Sequence, residues 1–231
     1  MSLLTTTCWY TVCACFFSSS GESCIAGSRA FVHASVYEAF KDRLLAAVKG
    51  LRVADPALES THMGPLVSQA HRESVARYVQ LGSDEGGQVL CGGSRPTGGY
   101  YDQGSYYLPT VIEGLPNTAR MCREEIFGPV LALLPWSDEA DLIAQCNDND
   151  YGLASGIWTR DYKAAWRIGR ALQTGTVWIN TYKLFSVSTP FGGVKLSGTG
   201  REKGRQGILE YTTQKSFYWG MNDAPMPWAV S

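Results

Sequence analysis

The stretch GESCIAGSR at residues 21–29 continues into AFVH at 30–33 and VYEAFKDRLLAAVKGL at 36–51. Arg29 to His33 reads as a short strand centred on Ala30, Phe31 and Val32. Val36, Phe40, Leu44, Ala47 and Leu51 then recur at helical spacing. A loop of small residues, a strand and an amphipathic helix together make one unit of an α/β fold. The loop presents a single thiol, Cys24, flanked by Glu22, Ser23 and Ile25. A nucleophilic cysteine must be reachable, must have backbone N–H groups aimed at the oxygen that becomes negative, and must have its thiolate favoured. Small neighbours serve the first two needs, and Arg29 could serve the third by folding back, or could point to solvent. The same composition also suits a buried, inert cysteine.

Downstream the pattern repeats. Pro56 and the Gly64, Pro65 pair bracket a loop, and Ser68 is placed to cap a helix bearing Val75, Tyr78, Val79 and Leu81. Gln88 to Cys91, Tyr107 to Ile112 and Val130 to Pro135 read as strands, with a Gly- and Tyr-rich surface loop over 92–107. Ser137 is positioned to cap a helix through Leu142 and Cys146. Residues 153–159 form a strand, Asp161 opens a helix to Leu172, and Thr176 to Asn180 is a further strand. Alternating units of this length predict an α/β fold with a largely parallel sheet flanked by helices.

Upstream, MSLLTTTCWYTVCACFFSSS has no charged residue. Its apolar run from Trp9 to Phe17 is too short to span a bilayer, and no basic residue precedes it as in a signal peptide. We read residues 1–15 as an atypical leader that ends in a buried helix or strand feeding the Cys24 loop, with Phe16 and Phe17 packed there. Cys8, Cys13 and Cys15 lack a nearby His or fourth Cys, so no metal is expected. Across the 231 residues, 45% are hydrophobic, and 20 basic residues balance 21 acidic ones to a net charge of −1. This balance recruits neither nucleic acid nor an anionic membrane, so a small molecule is the expected partner. Seven cysteines without paired CxxC spacing point to reduced thiols in a cytoplasm.

Four later stretches bear on chemistry. EEIFGPV at 124–130 places two carboxylates before an aromatic and a Gly-Pro turn, which can present Glu125 at a cleft with Phe127 packed beneath it, or simply end a helix. NDNDYGLASGIWTRD at 147–161 reads as scaffold. GTVWINTY at 175–182 ends a strand in Asn180, Thr181 and Tyr182, at the edge where open α/β sheets place ligands. TPFGGVKLSGTGRE at 189–202 is a glycine-rich loop without phosphate-loop spacing, closing on a charged pair that opens a helix.

GESCIAGSR, EEIFGPV, GTVWIN and PFGGVKLSGTGRE together resemble the signatures of the aldehyde dehydrogenase superfamily, in that family's order, and the resemblance covers about residues 16–220. It implies an aldehyde dehydrogenase-like catalytic domain over residues 16–212 and, over residues 213–231, a C-terminal strand of the kind the family uses in subunit association. By the same resemblance, Cys24 would attack an aldehyde and pass through a thiohemiacetal and a thioester. Glu125 and Phe127 would hold the nicotinamide ribose of NAD or NADP, and Phe185 and Phe191 would line the substrate tunnel, although either suits plain core. Glu202 is expected in a structural ion pair. A homo-oligomer is implied. The family's Rossmann-like half, with its oxyanion asparagine and general-base glutamate, has no counterpart here, so weak or no turnover is expected of the chain alone. A non-enzymatic interaction protein and a cofactor-free thiol esterase stand as alternatives.

Overall fold

The computed structural model describes residues 6–221; residues 1–5 of the leader and 222–231 of the tail lie outside the described residues, as do the side chains of residues 6–11, Cys8 among them. Helix α1 (Thr6–Phe17) enters a tight turn at Ser18–Gly21, in which Ser19 and Ser20 have left-handed φ of 55° and 57°. Strand β1 (Arg29–His33) and helix α2 (Tyr37–Lys49) follow. Helix α3 (Gln69–Asp84) starts at Ser68, whose hydroxyl accepts from the His71 N–H as expected of an N-cap. Then come β2 (Gln88–Cys91), β3 (Thr110–Glu113), the single-turn α4 (Arg120–Arg123) and β4 (Val130–Trp136).

These four strands form one sheet in the order β1-β4-β3-β2. β4 pairs in parallel with β1 on one side and β3 on the other, while β2 adds an antiparallel edge. Because β4 is covered on both faces, Val130 to Leu134 are all buried, the continuous apolar run that a central parallel strand requires. The two-residue period sorts them. Leu131 and Leu133 pack with Val12 and Phe17 from α1 and with Leu44 and Val48 from α2. Val130, Ala132 and Leu134 pack with Val75 and Val79 of α3 and with Met121. Phe16 and Phe17 are buried, as their place before the loop predicts.

The rest of the chain is α5 (Glu139–Asn147), β5 (Tyr151–Gly152), β6 (Ala154–Ile157), α6 (Tyr162–Ala171), β7 (Thr176–Ile179), β8 (Val194–Lys195) and α7 (Gly204–Leu209). β6 and β7 pair in parallel and β5 with β8 antiparallel, each as a separate two-stranded sheet rather than as an extension of the first.

Three local expectations need correction. The cap of α5 is Asp138, not Ser137; its carboxylate accepts from the Asp141 N–H. β3 starts at Thr110 rather than Tyr107, because Pro109 has no N–H to give a ladder and the Leu108 N–H goes instead to the Ser94 carbonyl. Residues 213–221 form no strand among the described residues, and Phe217, Tyr218 and Trp219 stand exposed there.

Candidate active site

Cys24 sits at the tip of a turn between α1 and β1 and is exposed. The turn is closed by the Ala26 N–H donating to the Ser23 carbonyl at 2.8 Å and the Gly27 N–H donating to the Cys15 carbonyl at 3.0 Å. The Cys24 N–H has no hydrogen-bond partner among the described residues. Gly21, at φ 71°, brings this loop against the Gly128 backbone; a Cβ there would lie 2.3 Å from the Gly128 oxygen, so no other residue fits. The nucleophile loop and the EEIFGPV loop therefore meet backbone to backbone. Both line one open cleft of about 1620 Å³, together with Trp158 and Tyr182.

Within EEIFGPV, Glu125 faces the cleft as expected, but Phe127 does not pack beneath it. Ile126 is the residue packed inside, whereas Glu125 and Phe127 are both exposed to the cleft. Phe127 has a left-handed φ of 55°, which turns its ring outward instead of beneath Glu125. Its carbonyl is held by His71, whose Nε2–H donates at 2.7 Å, which assigns that tautomer. His71 also faces Glu22 at 3.5 Å, and the Glu22 carboxylate accepts the Val67 N–H at 3.0 Å. Glu22 is thus tied to the loop before α3. Sequence spacing gave no sign of His71 in this position.

Arg29 does not fold back toward the thiol. Its guanidinium donates to Asn117 Oδ1 at 2.6 Å and to the Gln145 and Cys146 carbonyls, which are orphan acceptors at the end of α5. Burial lowers its pKa, and Cys146 and Cys122 oppose that shift. Arg29 is an interior brace between β1 and α5.

The far wall of the cleft comes from the segment after β7. Asn180, at φ 54°, locks β7 to β6 through paired amide bonds with the Thr159 backbone, each 2.9 Å. Tyr182 then donates its hydroxyl to the Ile25 carbonyl at 2.9 Å, one residue past Cys24. Burial pushes the Tyr182 hydroxyl pKa well up, with Cys15 and Cys24 adding to it. Lys183 donates to Ser18 Oγ at 2.5 Å and to the Ala14 carbonyl at 3.4 Å. Tyr182 had a sequence signal, the carboxyl edge of a strand; Lys183 had none.

Phe185 and Phe191 lie outside the Cys24 cleft lining. Phe185 meets Phe191 edge-on at 5.1 Å and Trp178 at 5.5 Å, and Trp178 in turn meets Tyr182 at 4.7 Å. They form an aromatic file leading away from Tyr182. Glu202 pairs through its backbone with Phe191 and joins no ion pair among the described residues, contrary to expectation. The other described thiols are buried or half-buried, whereas Cys24 is exposed. Burial pushes Cys13, Cys122 and Cys146 up to about 11 and raises Cys91. No group of three or more His, Cys, Asp or Glu among the described residues could hold a metal, and no helix there is long and apolar enough to cross a membrane.

The sequence pattern of the Aldehyde dehydrogenase family matches residues 7–217. The chain belongs to the aldehyde dehydrogenase family. It is 41% identical over 212 residues to a betaine aldehyde dehydrogenase of Brucella melitensis, covering 92% of this chain and 44% of that protein. A Cereibacter sphaeroides betaine aldehyde dehydrogenase is 43% identical over the same length, with 43% of it covered. Among solved structures, a betaine aldehyde dehydrogenase variant of Staphylococcus aureus in complex with NAD+ superposes with a TM-score of 0.93 at 32% identity, covering 96% of this chain and 45% of that one. HpcC of Thermus thermophilus gives 0.90 at 36%, covering 95% and 43%. This aldehyde dehydrogenase chain spans less than half the length of the relatives it matches.

Proposed function

We propose that this chain supplies the thiol side of an NAD(P)-dependent oxidation of an aldehyde to a carboxylic acid. The observation that supports it is the meeting, in one cleft, of the exposed Cys24 turn with Glu125 and Phe127, the two loops touching at Gly21 and Gly128. Cys24 Sγ adds to the aldehyde carbon, forming a C–S bond and a negative oxygen. The unpartnered Cys24 N–H is the donor available to that oxygen. Loss of hydride from the tetrahedral carbon restores the carbonyl and leaves a thioester on Cys24, which water cleaves to the acid. NAD or NADP, when bound, supplies the hydride acceptor.

The residues present fit the nicotinamide-ribose end of such a cofactor. Glu125 offers a solvent-facing carboxylate for ribose hydroxyls, and the outward Phe127 ring offers an apolar face beside it. His71 fixes the Phe127 carbonyl and with it the shape of that loop. The relatives' names point to a small aldehyde substrate. The exposed Phe217, Tyr218 and Trp219 support association with a second copy.

The test is a single-turnover reaction of the chain with a small aldehyde and NAD+ or NADP+, quenched in acid, with Cys24 examined by peptide mass spectrometry. Slow acylation of Cys24 that needs both aldehyde and dinucleotide, in keeping with the weak turnover expected of the chain alone, is the expected result. Acylation by p-nitrophenyl acetate alone, with none from aldehyde and dinucleotide, would favour the thiol esterase, and no acylation by either would remove the reading.

A further inference from the structure

A second cavity, about 520 Å³, lies between α3 and the loop after β2 and shares no lining residue with the Cys24 cleft. Arg72, Ala76, Val79 and Ser83 recur along one face of α3 and form one wall. Val89 and the loop from Gly92 to Arg95 form the other. That loop is held in shape. Gly92 and Gly93 take left-handed φ of 73° and 75°, and a Cβ at Gly92 would lie 2.2 Å from the Pro109 oxygen. The Gly93 N–H donates to Thr110 Oγ1 at 2.9 Å, and the Leu108 N–H donates to the Ser94 carbonyl at 3.0 Å. Two buried polar groups in this cavity are short of partners. The Arg72 side chain is 10% exposed and donates to the Gly104 carbonyl at 3.2 Å, while the Glu73 carboxylate, 4.0 Å away, is 55% exposed. Most of the five guanidinium N–H groups of Arg72 are therefore uncommitted. Tyr107 is 3% exposed, and its hydroxyl has no hydrogen-bond partner among the described residues. Burial alone raises that hydroxyl to about 12, so it is a neutral donor at ordinary pH. Arg95, half exposed, is paired with Asp102 at 3.3 Å.

We propose that this cavity is a binding site for a small aliphatic monocarboxylate, whose carboxylate accepts from Arg72 and from the Tyr107 hydroxyl and whose hydrocarbon part lies against Ala76, Val79 and Val89. A buried cation and a buried hydroxyl each cost free energy until a partner satisfies them, and a carboxylate satisfies both. Its two oxygens match the planar fork of a guanidinium. Glu73 and Asp102 bring two negative charges to the two positive ones of Arg72 and Arg95, which leaves no excess to hold a dianion such as phosphate. The volume suits a small molecule enclosed by apolar walls with a few convergent polar groups. Because the cavity is separate from the Cys24 cleft, the site does not depend on Cys24 being the nucleophile.

The test is a titration of the intact, isotope-labelled chain with isovalerate at low salt, read by nuclear magnetic resonance at the backbone N–H groups of Gly92, Gly93 and Ser94. Saturable shifts with half-saturation at about 1 mM are expected, and none with the uncharged isovaleramide. Tyr107→Phe removes an unpartnered hydroxyl, so it is expected to leave the unfolding midpoint unchanged while weakening isovalerate binding about fivefold. Arg72→Gln is expected to weaken it by more than about tenfold; should that variant fail to fold, Tyr107→Phe carries the test. Alkylating Cys24 with iodoacetamide beforehand is expected to leave the titration unchanged. No saturation up to about 20 mM, equal binding of the amide, or undiminished binding in Tyr107→Phe would each overturn the proposal. Loss of binding on Cys24 alkylation would place the carboxylate in the Cys24 cleft and overturn it as well.

Discussion

The sheet formed by β1 to β4 and the segment from β5 to α7 are built differently. In the first, every residue of β4 from Val130 to Leu134 is buried between α1 and α2 on one side and α3 on the other. In the second, the two-stranded β6–β7 sheet contributes only Trp178 to the buried set, and Ile179 is exposed. The catalytic candidate lies where the two meet. Cys24 stands on the turn that the well-packed sheet holds, while Tyr182 and Lys183 reach it from the thinner segment. The position of the thiol and the Glu125–Phe127 side of its cleft are therefore properties of the first region, and the Tyr182 wall is a property of the second.

If that contrast is right, core truncation should separate the regions most strongly. Leu131→Ala removes a fully buried side chain from the central strand and is expected to cost about 2–5 kcal/mol in denaturant unfolding, against about 1 kcal/mol or less for half-buried Val177→Ala in β7. Equal costs would break the comparison.

Alkaline pH should act next, on the first region and on the helix α5 that follows it. Cys13, Cys122 and Cys146 each rise from an ordinary 9.0 to about 11 on folding, because burial disfavours the thiolate. Groups whose folded pKa is raised stabilise the fold fully below the unfolded value, and that contribution disappears as pH climbs through the folded value. Melting temperature should accordingly fall between about pH 9 and 11, with a shallower fall in Cys122→Ala. A flat profile over that window would show those thiols to be solvated.

Tyr182→Phe leaves the Ile25 carbonyl without its donor and is expected to cost about 1 kcal/mol while raising the mobility of the Cys24 turn. Nuclear magnetic resonance order parameters for residues 22–26 would register this as a local loss of order. The smallest effect is expected from removing residues after 212, since Phe217, Tyr218 and Trp219 are exposed. Stability should stay within about 0.5 kcal/mol of the parent in chemical unfolding.

The sequence made the first region largely legible because its periodicities are strong. The strand at 29–33, the capped helix after Ser68 and the apolar run at 130–135 all stand where their patterns put them. Boundaries moved where one atom decided them, as with the missing N–H of Pro109 and the choice of Asp138 over Ser137. Cys24, Glu125 and Phe127 were visible as motif residues, and the structure brings them to one cleft. The packing of Phe127 was misread because a positive φ leaves no mark in hydrophobic pattern. Arg29, His71 and Lys183 all act across long sequence separations on backbone carbonyls that any residue could supply, so spacing rules could not find those partners. Residues 213–221 were expected as a strand because the family resemblance implies one there, yet a strand needs a neighbour, and none is paired with them among the described residues.

The central claim is that Cys24 is the accessible, reactive thiol of a formed site. Its most direct test is the rate of alkylation by iodoacetamide as a function of pH, read by peptide mass spectrometry with Cys91, Cys122 and Cys146 as internal references. An exposed Cys24 beside thiols that burial keeps protonated should react at least about tenfold faster than any of the three below pH 8. Equal rates at all four, or reaction at Cys24 only once the chain unfolds, would contradict the account.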